Sequence, residues 1–291
     1  GSDVREIRHG TTVASNAILE GKGARVGLIT TAGFRDVLEL RTLRMPRLYD
    51  MAWQKPPPLV ERYLRRTVAE RVRASGDIET PLEMDDARRE IKALLDDNVE
   101  AIAVCLINSF ANPAHELMIK QAIEELAPDL IHSISYEVLP EIKEYERTST
   151  TVINAYVKPI VATYLEVLRK RLNQNGVEAP LLLMQSNGGL TTDRAAADRP
   201  INIIEAGPAG GVVGGHAIAT TKGLDKIITF DMGGTTAKAS MVEDGHVMRA
   251  QEYAVGAGIM VGSRLLSGAG YTLKVPAIDL AEVGAGGGSL V

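Results

Sequence analysis

A single cysteine, Cys105, stands in a chain of 291 residues. One thiol can form no disulfide within the chain, no zinc ligand set and no redox pair, and its place inside the apolar run Ala101–Ile107 marks it as a core residue. Long apolar runs are also missing; none approaches the ~20 residues of a membrane-spanning helix. Nor is positive charge in excess. Thirty-two Lys and Arg against 37 Asp and Glu leave a net charge of −5, whereas a dedicated nucleic-acid binder shows a basic domain. Arg62, Arg65, Arg66, Arg71 and Arg73 cluster, but Glu61 and Glu70 interrupt them, which reads as a solvated face. There is no initiator methionine. Gly1–Ser2 has the look of a cloning remnant and the end, Gly284–Val291, is Gly-rich, so the sequence reads as a segment of a longer protein.

What is present is ordinary in bulk. The chain is 45% hydrophobic and 24% charged, close to the soluble globular average, and long enough for two domains. Apolar β-branched runs at Arg25–Thr31, Ala101–Ile107 and Leu130–Tyr136 alternate with helical spacing at Phe34–Leu40, Asp85–Asp97 and Ala114–Leu126. That order predicts right-handed βαβ units and an α/β sheet. Val13–Leu19 predicts a short helix capped by Thr11 or Thr12, and Thr67–Arg73 alternates as an exposed strand does. Met45–Leu59, with Pro46 and Pro56–Pro58, reads as an irregular connection. A longer helix is predicted over Thr148–Gln174, where Val152, Tyr156, Ile160, Tyr164, Leu168 and Leu172 form one stripe and Pro159 removes one intrahelical bond. The domain boundary is placed at its start, giving units 3–147 and 148–291.

The second unit holds the residues that suggest chemistry. Leu181–Gln185 reads as a strand ending in the turn Ser186–Asn187–Gly188–Gly189, either a tight turn or a polar loop facing a cleft. Glu205–Ala206–Gly207–Pro208–Ala209–Gly210–Gly211 opens a helix of small residues to about Thr221. Its glycines lower helix propensity, a cost met where another helix or a ligand comes close. Then Ile227–Met232 leads through Gly233–Gly234–Thr235–Thr236 into Ala237–Val242, which predicts a β-hairpin with Asp231 at the end of its first strand. The N–H groups of that turn and the Thr235 and Thr236 hydroxyls could ring a phosphate, with Asp231 holding its magnesium. An ordinary Gly-Gly hairpin is the alternative.

This order of a small-residue helix followed by Phe230-Asp-Met-Gly-Gly-Thr-Thr resembles the actin, sugar-kinase and heat-shock chaperone superfamily. More closely, the chain resembles the hydantoinase A and oxoprolinase family. The motifs are His9-Gly-Thr-Thr-Val-Ala-Ser-Asn-Ala, Leu28-Ile-Thr-Thr-Ala-Gly-Phe-Arg-Asp, Met184-Gln-Ser-Asn-Gly-Gly, Glu205-Ala-Gly-Pro-Ala-Gly-Gly, Asp231-Met-Gly-Gly-Thr-Thr and Gly284-Ala-Gly-Gly-Gly-Ser. Each alone is weak, but they follow the family order over nearly the whole length.

The resemblance implies an α/β, actin-like (ribonuclease H-like) two-domain fold, incomplete here, and a cytoplasmic enzyme that uses ATP and Mg²⁺. Such an enzyme phosphorylates the carbonyl oxygen of a cyclic amide, hydantoin or oxoproline, so that water opens the ring. In related ketone carboxylases the same step would activate a ketone. By analogy Asp231 and Glu205 are the catalytic and metal-holding residues, and Gly207, Gly210, Gly211, Gly233, Gly234, Thr235, Thr236 and Lys238 bind the nucleotide. His9, Asn187, Gly286 and Gly287 are the substrate candidates. A hydantoinase B-type subunit or fused domain is the implied partner in a homo- or hetero-oligomer, with no nucleic acid or membrane. A non-catalytic nucleotide-gated module and a metabolite kinase are the competing classes. The superfamily's first phosphate hairpin and its adenosine-binding segment are expected before Asp3 and after Val291. The chain alone is therefore expected to bind ATP weakly, to lack turnover, and to leave a sheet edge unpaired.

Overall fold

The computed structural model describes residues 4–42, 51–233, 237–256, 270–283 and 286–288. Its first half is built on a parallel sheet in the order Arg65–Val68, Val26–Thr31, Ala101–Cys105, Ile131–Ile134. All residues of the two central strands are buried, as expected of parallel strands covered on both faces. Helices Met84–Asp96 and Ala114–Leu126 pack on the sheet and on each other. Gly27 makes room for the first of them, since a Cβ there would lie 2.8 Å from the methyl groups of Leu94. Strand, helix and strand thus follow the order read from the sequence.

Three local readings are corrected. The exposed strand expected over Thr67–Arg73 divides into Arg65–Val68, an edge strand of the parallel sheet, and Arg71–Val72, which pairs with Ile78–Thr80. With it the solvated arginine face loses a member. Arg65 is only 2% exposed, donating to the carbonyl of Val60 at 3.0 Å and to Glu39 at 2.9 Å. Burial of its long stem along the sheet edge outweighs the polarity of its neighbours. Likewise the strand predicted to Tyr136 ends at Ile134, where Ser135–Val138 turns into a short helix.

The element that joins the two halves is the helix Glu144–Gln174, which runs through Pro159. Its stripe faces inward as predicted: Val152 and Tyr156 are buried, and Ile160, Tyr164, Leu168 and Leu172 pack against the same core. Its first turns are buried all round, including Arg147, Thr148, Ser149, Thr150 and Thr151. Arg147 donates to the carbonyl of Leu106 at 2.7 Å, to Ser135 at 3.0 Å and to Ser109. The Ser135 hydroxyl donates a hydrogen bond to buried Glu116 at 2.6 Å. Glu116 also accepts from the N–H groups of Leu106 and Tyr136. A hydroxyl therefore bridges the two buried ionisable groups. The residue-147 boundary falls in the first turn of this helix, and one hydrophobic cluster extends from Ile18 and Ile102 to Leu183, Ile203 and Leu273.

The second half holds two further sheets. Ile7–His9 runs parallel to Leu181–Leu183, and Leu181–Met184 turns back antiparallel to Leu190–Thr192. Helix Ala206–Thr221 packs on this sheet and on the hairpin Ile227–Met232 with Ala237–Glu243. The second hairpin strand also pairs with His246–Val247 and Ala281–Val283. Among the described residues, no helix is long and apolar enough to cross a membrane.

Candidate functional site

The hairpin forms where the sequence puts it, and its register decides the chemistry. Asp231 stands opposite Lys238, and Lys238 stands opposite Glu282 on the other side. Directly paired residues share one face of a sheet, so the three charged side chains form a row. Helix Ala206–Thr221 lies over that face and brings Glu205, its N-cap residue, to the row. The Lys238 ammonium donates to Glu205 at 2.6 Å and lies 3.5 Å from Glu282.

Glu205 is buried. Loss of water pushes its carboxyl above the usual range, an effect the Lys238 charge and hydrogen bond oppose. Its backbone N–H donates to Ser186 Oγ at 3.1 Å. Ser186 is in turn fully buried and fixed through its own backbone to Asn202 and Ile278, each at 2.7 Å. The motif around Ser186 thus supports Glu205. The hydroxyl of Tyr253 is buried beside Ser186 and Glu205 without a well-formed hydrogen bond, and burial raises its pKa far above the ordinary tyrosine value.

A cleft of about 220 Å³ opens between the helix start and the hairpin, lined by Pro208, Gly211, Thr229, Asp231, Lys238 and Leu280. The glycines of the helix divide by position. A Cβ on Gly215 would lie 2.9 Å from Thr229, and one on Gly207 3.2 Å from Thr12, so here neighbouring elements require the small residue. At Gly211 and Gly214 nothing lies within 4 Å, and Gly210 meets only Met184 at 3.9 Å.

The remaining candidates are dispersed. Gly234, Thr235 and Thr236 lie outside the described residues. Gly233, two residues after Asp231, accepts from the N–H of Gly287 at 2.9 Å, so the Gly286–Gly288 turn docks on the hairpin turn. Asn187 accepts from the N–H of Gly189 at 2.8 Å, inside a turn where Gly188 has φ +86°. His9 is bound to the Tyr164 hydroxyl at 2.7 Å, and burial lowers its pKa. Its neighbour Gly10 approaches the helix start instead, where a Cβ would sit 3.4 Å from the carbonyl of Ala206. Glu282 and Tyr253 escaped the sequence reading because neither lies in a Gly-rich motif; strand register and packing bring them in.

Asp231, Glu205 and Glu282 offer the hard oxygen donors that suit magnesium. Among the described residues, however, no three or more acidic, His or Cys side chains already stand in the arrangement of a metal cage.

Comparison with known proteins identifies the family and the fold. The profile for Hydantoinase/oxoprolinase matches residues 147–291, and that for the Hydantoinase/oxoprolinase N-terminal region matches 1–127. The chain belongs to the hydantoinase/oxoprolinase family. Within it, caprolactamase subunit alpha from Pseudomonas jessenii is 34% identical over 284 residues, 97% of this chain and 39% of that one. 5-Oxoprolinase 1 from Arabidopsis thaliana is 30% identical over 308 residues, 98% of this chain and 23% of that one. The crystal structure of the ATP-dependent caprolactamase from Pseudomonas jessenii superposes with a TM-score of 0.84 at 33% identity, over 99% of this chain and 40% of that one. Acetone carboxylase in its nucleotide-free form, at 24% identity, has the same fold with a TM-score of 0.79 over 96% of this chain and 39% of that one. The family member described here thus has the α/β, actin-like two-domain fold and spans about two fifths of these solved chains.

Proposed function

We propose that this chain forms part of the ATP site of an enzyme that opens a cyclic amide after phosphorylating its carbonyl oxygen. The observation that carries the reading is the Lys238 bond that holds Glu205, at the start of a 16-residue helix, to the hairpin whose Asp231 and Lys238 line the cleft. A helix N-terminus favours phosphate through its free N–H groups and dipole. Gly207, Gly210 and Gly211 keep side chains from that approach, and Gly233, Gly234, Thr235 and Thr236 supply N–H and hydroxyl donors from the hairpin side. Asp231 and Glu205 hold magnesium, directly or through water. Bound Mg–ATP supplies the phosphoryl group and neutralises charge as it transfers.

The cleft is smaller than the ~300–1,000 Å³ of pockets that enclose a whole ligand, which suits phosphates better than a complete nucleotide. Asn187, next to the residue that holds Glu205, and Gly286–Gly287, docked at Gly233, take the substrate side. His9 supports the strand beside them. The caprolactamase and 5-oxoprolinase relatives are named for cyclic amides, which favours that substrate class, and the name of the first as a subunit favours a multi-subunit enzyme. Titration of the full-length enzyme with Mg–ATP, beside its Asp231→Ala variant, tests the reading. A loss of affinity of about tenfold or more supports it, and equal affinity removes the hairpin from the site. ADP release measured with caprolactam, hydantoin, oxoproline and a ketone then sorts the substrate.

A further inference from the structure

Helix Ala206–Thr221 covers one face of the hairpin sheet, the face of Thr229, Asp231, Lys238 and Glu282. The opposite face is exposed and apolar. Ile228 stands there opposite Met241, and Phe230 opposite Ala239, which in turn stands opposite Ala281. Ile228 is 73% exposed, Phe230 64%, Met232 54% and Met241 47%. Single apolar residues at a surface are ordinary, but a contiguous block marks a contact. The outer edge of the sheet is open as well. Among the described residues Ile227–Met232 pairs only with Ala237–Glu243, and it carries neither the proline nor the lysine that blunts an edge strand.

Ile227 on one face of this strand, and Ile228 and Phe230 on the other, give it the composition of a strand covered on both sides. Val26–Thr31 and Ala101–Cys105 in the first half have that cover and are buried at every residue. An open edge calls for a strand and an exposed apolar face for a helix, and one strand–helix unit supplies both. We propose that the part of the subunit's own polypeptide outside these 291 residues docks here, adding a strand beside Ile227–Met232 and laying the apolar stripe of a helix across Phe230 and Met241. Length supports this occupant, since the chain spans only 39% of caprolactamase subunit alpha. The face itself sets the chemistry, because no charge stands among Ile228, Phe230, Ala239, Met241 and Ala281. Asp231 projects from the same strand toward the cleft, so the docked unit braces from behind the strand that carries it.

Photocrosslinking of the full-length enzyme without nucleotide, with p-benzoylphenylalanine in place of Phe230, tests the proposal. The crosslink is expected within one polypeptide, so that the subunit keeps its mass on a denaturing gel, and mass spectrometry is expected to find it on a peptide outside these 291 residues. A crosslink to a second copy or to another subunit, seen as a larger mass, overturns the proposal. A crosslink that stays within the 291 residues, or none at all, overturns it too. Thiol labelling of Met241→Cys, a smaller change to the fold, is the second measurement. Met51 is 98% exposed, and Met241→Cys is expected to react with a maleimide at least about tenfold more slowly than Met51→Cys, because a docked surface reacts only when it opens. Equal rates overturn the docking. Neither measurement uses nucleotide, so failure of the ATP reading keeps its separate signature, Mg–ATP affinity undiminished in Asp231→Ala.

Discussion

Lys238 Nζ lies 2.6 Å from the Glu205 carboxylate and ties the hairpin to the start of the helix that precedes it. Only 12% and 9% of the two side chains are exposed, so each leaves the other poorly solvated when removed. Lys238→Ala is expected to cost about 3 kcal/mol, the size found when one member of a buried pair is deleted. The double variant Lys238→Met/Glu205→Gln should cost less than the sum of its single variants, because neither charge is then stranded. Urea denaturation of the four proteins measures both effects.

His9 titrates below the 6.5 of a free histidine because burial disfavours its charged form. Between its folded pKa and 6.5 the unfolded chain binds more protons, so this residue's contribution to stability is complete above 6.5 and is lost as pH falls through the folded pKa. The C2 proton resonance of His9 should have its midpoint below 6.5, and His9→Gln should flatten the acid side of the stability profile.

The helix glycines give opposite outcomes one residue apart. Gly214→Ala meets open space and should raise stability by about 0.5–1 kcal/mol through helix propensity. Gly215→Ala must displace Thr229 from 2.9 Å and should lose that gain or more. Gly211→Ala is expected to stabilise like Gly214→Ala while weakening Mg–ATP binding, since Gly211 lines the cleft. Thermal melts and nucleotide titration separate the two effects.

Glu116 accepts three hydrogen bonds while fully buried, and loss of water pushes its pKa above the ordinary range. Glu116→Gln turns one acceptor into a donor that faces the N–H of Tyr136 or that of Leu106, at a cost of about 2 kcal/mol near pH 5. The raised pKa means that the folded chain binds the extra proton from pH 4.5 upward. The wild-type advantage over Glu116→Gln should therefore shrink as pH rises from 4.5 through the folded pKa. Parallel denaturation curves across pH measure that difference.

Much of this was legible in the residues. The parallel strands at Val26–Thr31 and Ala101–Cys105 are apolar runs, and the amphipathic helices Met84–Asp96 and Ala114–Leu126 repeat at 3.6 residues. Such signals are local. Arg65 and the first turns of Glu144–Gln174 were not legible, because polar side chains buried by tertiary packing leave no hydrophobic period to read. The order of motifs from His9 to Gly284 likewise identified the family before any geometry was known.

The sequence by itself determined the hairpin, the small-residue helix and the family, since β-propensity, glycine placement and motif order act over neighbouring residues. Only the tertiary structure decided which charges meet. A shift of one residue in strand register turns every side chain to the other face. The row Asp231–Lys238–Glu282, and the meeting of Lys238 with Glu205, therefore depend on how separate strands and a helix pack together.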